Sequence, residues 1–115
     1  MREQDRDPGR LTDILQAADY VSEFIEGYSF ETFFEDKMRY YAVLKNVEII
    51  GEAAYMLSLE FKEQHNEVPW KQIIKMRHIL VHGYASVLPE ILWETATEDI
   101  PSLAKTIRKI MQDQS

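Results

Sequence analysis

The chain has no cysteine. Disulfides, thiolate nucleophiles and cysteine-ligated zinc are therefore excluded, and a reducing, cytoplasmic setting is the expectation. Glycine and proline are scarce, four of each in 115 residues, and they fall between periodic segments. No apolar run approaches the roughly 20 residues needed to cross a bilayer, so no membrane partner is expected. The opening Met1 to Asp7 is charged and has no apolar centre, which argues against a signal peptide. Asn-Gly and Asp-Gly turns are absent, and apolar and polar residues do not alternate over any length, so no strand is expected. There is no P-loop, no GxGxxG, no HExxH and no nucleophile elbow. ATPase, dinucleotide-dependent and serine-hydrolase chemistry thus lack support, and no cofactor or metal is expected.

One further absence is local. Acids outnumber bases 20 to 13, giving a net charge of −7, yet no Asp or Glu occurs between Glu67 and Glu90. That window holds Lys71, Lys75, Arg77, His78, His82 and Tyr84. An acidic protein is a poor non-specific nucleic-acid coat. A local cation on it suits a phosphate-bearing ligand, and an imidazole nearby can move protons around neutral pH.

The apolar pattern is helical throughout. Leu11, Ile14, Ala18, Val21, Ile25 and Tyr28 repeat at three and four, predicting a helix from about Leu11 to Tyr28 with Asp7-Pro8 as a start signal and Gly27 and Ser29 as a stop. Ser29 can cap a short helix, but Thr32 rather than Glu stands at the third position, so the capping box reads as incomplete. A second long helix is expected from about Asp36 to Gln64, with Leu44, Val47, Gly51, Ala54, Ser58 and Phe61 as its stripe. The centre of that stripe is small. Gly51 costs about 1 kcal/mol relative to Ala inside a helix, which close packing or function would justify. Asn46, Glu48 and Glu52 flank the stripe. Pro69 opens the next helix and Gly83 ends it. Pro89 starts the last segment, which Pro101 breaks or kinks. Methionine and aromatic residues mostly fit the stripes and read as core. The expected architecture is all-α: an antiparallel four- to five-helix bundle over residues 10–112, after a flexible 1–9.

Arg77 and His82 are five apart, about 140° beyond a full helical turn, and converge only if His82 sits on the last turn or beyond. His78 and His82 share a face. A solvated basic rim with no chemistry is the plain alternative. A metal site of His78, His82 and His65 is a further one, although its third ligand is distant in sequence.

Arg77, four residues, His82, one residue, Tyr84 resembles the signature of HEPN domains, and in particular of HepT-like toxin ribonucleases. Asn46 through Ala54 is similar to that family's long-helix segment, Pro69 through Arg77 to its lead into the motif, and Trp93 through Pro101 to its last helix with the internal proline. The three segments lie in order over roughly residues 10 to 111. His78 stands where close relatives usually carry Asn, and Ala85-Ser86-Val87-Leu88 lacks the Phe-Gly of many relatives. The resemblance implies a metal-independent endoribonuclease, with Arg77 and His82 catalytic. His78, Lys71, Lys75 and Asn46 would support the site or bind RNA. It also implies a homodimer, and a type VII-like toxin–antitoxin pair in which an MntA-like nucleotidyltransferase antitoxin transfers AMP to Tyr84. A non-catalytic HEPN module that binds nucleotide or docks such a transferase is the alternative.

Overall fold

The computed structural model describes residues 3–83 and 88–113. After a 3-10 turn, Glu3–Arg6, helix α1 spans Asp7–Ile25 with Pro8 in its first turn. It begins inside the stretch expected to be a flexible end. Leu11, Ile14, Ala18 and Val21 are buried as their spacing predicts. Gly27 then adopts φ of +78°, a left-handed conformation open to glycine at little cost, and the chain turns back.

Helix α2, Phe30–Glu35, starts on a complete capping box. The Thr32 N–H donates to the Ser29 hydroxyl at 3.2 Å, and the Ser29 N–H donates to the Thr32 hydroxyl at 2.9 Å. The threonine oxygen accepts where a glutamate would, which corrects the expectation of a missing half.

The long helix expected over residues 36–64 is two helices, α3 at Lys37–Met56 and α4 at Leu59–Gln64. Ser58 is not a small residue on a helical stripe. It is the N-cap of α4: its hydroxyl accepts the Phe61 N–H at 3.1 Å and donates to Asp7 Oδ2 at 2.6 Å, while its N–H donates to Asp7 Oδ1 at 2.9 Å. A buried carboxylate from the start of α1 thus holds the break in place. At the other end, Asp36 caps α3 through the Arg39 N–H, and Arg39 Nη1 donates to the Phe24 carbonyl near the end of α1 at 2.8 Å. These two ties fix α1 and α3 antiparallel.

Helix α5, Trp70–His82, starts after Pro69 and stops at Gly83. Helix α6, Pro89–Glu94, runs through a π turn at Thr95–Asp99 into α7, Ile100–Asp113. Pro101 lacks the N–H that an unbroken α-helix would use, and the wider turn upstream absorbs the mismatch. The expected break therefore appears as a π turn ahead of the proline. The fold is all-α, a helical bundle, with no strand among the described residues. Its core gathers Leu11, Ile14, Val21, Phe33, Val43, Leu92 and Ile107 between α1, α3 and α7.

The aromatic and methionine residues do not all enter that core. Phe33, Tyr40, Phe61 and Trp70 are buried, but Met38 is 88% exposed, and Tyr41 and Tyr55 are exposed elsewhere along α3. No helix among the described residues is long and apolar enough to cross a membrane.

Candidate functional site

Helix α5 divides the sequence-predicted residues between two of its faces. Lys71, Lys75, His78 and His82 are spaced four, three and four, and all four are exposed. They form one basic ridge along the outside of the helix. At its C-terminal end the His78 and His82 rings lie against each other, with centroids 4.7 Å apart. The Gly83 N–H closes the last turn on the Ile79 carbonyl at 2.7 Å, so His82 sits in the final helical turn.

Arg77 faces the other way, against α3. A Cβ placed on Gly51 would overlap the Arg77 Cβ and stand 3.1 Å from its Cα. Only a glycine lets the two helix backbones approach this closely. The small centre of the α3 stripe is thus explained at Gly51: it seats the root of Arg77. Beyond that root, Arg77 Nη2 pairs with Glu52 Oε2 at 2.6 Å, and the guanidinium lies 5.5 Å from the Tyr55 ring centroid. Its Nε is buried without a hydrogen-bond partner.

Arg77 and Glu52 line a cavity of about 340 Å³ formed by α1, α3 and α5. Arg10, Asp13, Lys45 and Glu48 line it as well. Lys45 Nζ lies 3.4 Å from Glu48 Oε1. Arg10 carries no functional signal in the sequence, because one arginine on the polar side of a helix is unremarkable. Only its position across α3 from Arg77 singles it out.

The remaining candidates lie elsewhere. Asn46 spends its amide on its own helix, donating to the Ala42 carbonyl at 2.8 Å. His65 ends α4, its ring 4.5 Å from that of Phe61 and its Nδ1 3.7 Å from Glu67. Among the described residues no three His, Asp or Glu side chains gather to hold a metal ion. Tyr84 lies outside the described residues. A second cavity, about 390 Å³, opens between α3, α5 and α7. Its lining includes Ile73, Met76, Leu103, Thr95 and Asp99, and none of the candidate residues.

Chemically, α5 offers two kinds of group. The ridge supplies cations and imidazoles to solvent, and Arg77 supplies a fixed planar cation whose geometry matches two oxygens of a phosphate.

Comparison with known proteins identifies the family of the chain. The family model described as Ribonuclease HepT-like matches residues 14–110. A protein of Caldanaerobacter subterraneus subsp. tengcongensis named "Putative RNase" is 43% identical over 102 residues, covering 89% of this chain and 91% of its own. The "Probable ribonuclease HepT" of Thermococcus cleftensis is 41% identical over 100 residues, covering 87% and 91%. No solved structure matches the chain.

Proposed function

Since the chain belongs to the HepT-like ribonuclease family, we propose that it is a metal-independent endoribonuclease whose centre is built from Arg77 and His82. The observation that carries this reading is the division of α5. One helix of an acidic protein presents a basic ridge ending in two imidazoles, and on the adjoining face a guanidinium braced by Glu52.

RNA carries its own nucleophile, the 2′-hydroxyl. A catalyst need only take the proton from that oxygen, balance the charge growing on the phosphate and protonate the leaving 5′-oxygen. An imidazole suits the proton transfers, and a permanently charged, planar guanidinium suits the phosphorane. The products would be a 2′,3′-cyclic phosphate and a 5′-hydroxyl. DNA lacks the nucleophile and would survive.

Within one chain, Arg77 and His82 face different directions. A homodimer resolves this by setting Arg77 of one copy beside His82 of the other. Ile49, Tyr55 and Val81 are exposed on α3 and α5 around Arg77, an apolar surface of the kind that marks an interface. A twofold axis there would also bring two basic ridges together.

The family resemblance extends the proposal to regulation. An MntA-like nucleotidyltransferase antitoxin would silence the enzyme by transferring AMP to Tyr84, adding anionic phosphate that competes with RNA for Arg77.

Incubation with RNA in EDTA tests the enzymatic claim. The unaltered chain should cleave, and Arg77→Ala and His82→Ala should each lose cleavage by at least about a hundredfold. Undiminished cleavage by either variant would remove that residue from the centre. Tight partner binding without cleavage by the unaltered chain would favour a docking module.

A further inference from the structure

Two buried side-chain atoms among the described residues have no hydrogen-bond partner, and they are the Nε atoms of Arg10 and Arg77. They come from different helices, sixty-seven positions apart in the chain, yet both residues line the same cavity between α1, α3 and α5. Buried polar groups are normally paired, and each exception calls for an explanation. A guanidinium nitrogen can only donate, so what completes these two atoms must accept. The group is also cationic, so the acceptor that suits it best is an anion with two or more oxygens.

The carboxylates of the cavity do not fill that role. Glu52 is held by Arg77 Nη2, and Glu48 lies beside Lys45. Asp13 stands three residues along α1 from Arg10, the spacing at which helix ion pairs form, but no ion pair joins them. Arg10 is therefore a cation with no acid partner among the described residues, on a chain where acids outnumber bases 20 to 13. Thus the cavity presents two guanidinium groups whose inner donors are desolvated and unused, which is the arrangement an external oxyanion would complete.

We propose that Arg10 is a second phosphate-binding residue, and that the backbone of single-stranded RNA passes through this cavity so that Arg10 neutralises one phosphate in addition to the one at Arg77. This rests on the ribonuclease reading and adds a substrate contact from α1, a helix outside the Arg77–His82 motif. Arg10 does no proton transfer; it holds the strand in register with Arg77. A free phosphate ion shares the chemistry of an RNA phosphodiester, and the two are separated by experiment.

Binding is measured on the His82→Ala chain in EDTA, so that RNA stays intact. Anisotropy of a labelled, mixed-sequence single-stranded RNA is followed across a salt series, with and without Arg10→Gln. The added substitution should weaken binding about fivefold at low salt and reduce the slope of log Kd against log salt by about 0.7, the loss of one phosphate contact on a single strand. Arg10→Lys should keep the slope. In the His82→Ala chain itself, RNA should shield Arg10 from phenylglyoxal, read by peptide mass, a readout that needs no change at Arg10. An unchanged slope together with unshielded Arg10 overturns the proposal while leaving the ribonuclease reading intact. Thermal stabilisation by inorganic phosphate that depends on Arg10, with the RNA slope unchanged, assigns the cavity to a small anion and also overturns it. A His82→Ala chain that binds no RNA at all overturns the ribonuclease reading with it.

Discussion

Helix α3 has two seams, and they treat polar groups in opposite ways. Along α1 the polar side chains at both ends of the seam are satisfied. Asp7 spends both carboxylate oxygens on Ser58, and Asp36 and Arg39 pair with each other while Arg39 reaches the Phe24 carbonyl. Along α5 the backbones come close at Gly51, and the Nε of Arg77 is left buried and unpaired, lining the cavity it shares with the unpaired Arg10 Nε of α1. A satisfied polar seam holds helices in one arrangement, whereas an unsatisfied one costs stability and persists where something else uses it. The first seam is a brace and the second is a site.

The strongest way to break the contrast is Gly51→Ala. The new methyl group collides with the Cβ of Arg77, which is fixed to the α5 backbone and cannot swing aside. Overpacking of this kind costs about 3 kcal/mol, more than the roughly 1 kcal/mol that alanine returns in helix propensity. Chemical denaturation should show a net loss of about 2 kcal/mol, and RNA cleavage should fall with it because Arg77 moves. An unchanged midpoint with full cleavage would mean the close approach at this seam has no consequence.

Asp7→Ala tests the brace. It strands a buried N–H and a buried hydroxyl at Ser58 and should cost about 2 kcal/mol, read by the same denaturation curve. Cleavage per folded molecule should be unchanged, since the α5 seam is untouched. Loss of cleavage out of proportion to folding would show that the two seams are not separable.

The smallest effect is pH dependence at Asp36. Its carboxyl lies below the usual range chiefly because it accepts the Arg39 backbone N–H, with the Arg39 side chain and the Tyr28 hydroxyl adding to this against some desolvation. A group with a depressed folded pKa stabilises the protein above its unfolded pKa, near 4, and that contribution disappears as pH falls through the folded value. Unfolding midpoints measured from pH 6 down to pH 2 should therefore fall less steeply in Asp36→Asn than in the unaltered chain. Identical slopes would remove Asp36 from the brace.

Much of the helical framework was readable from residue spacing. The α1 stripe, the Gly27 turn and the Pro69 and Gly83 limits of α5 follow from local rules that act within a few residues. Ser58 was not readable, because it satisfies the helical spacing of its neighbours. What makes it a cap is Asp7, fifty-one positions away. Arg10 was hidden for a similar reason, since its significance arises only where α1 and α5 flank α3. The exposed Met38, Tyr41 and Tyr55 also fitted the pattern of a core, because periodicity gives a face but not what that face meets. Gly51 was the exception among long-range features, since a glycine inside a helix is costly enough to announce a close neighbour.

The central claim is that Arg77 and His82 form one centre, completed between two copies of the chain. Mixing the Arg77→Ala and His82→Ala chains, after unfolding and refolding together, tests it directly. Half the dimers would then be mixed, each with one intact centre out of two, so cleavage should recover to about a quarter of that of the unaltered protein. A mixture as inactive as its separate components would contradict the composite centre.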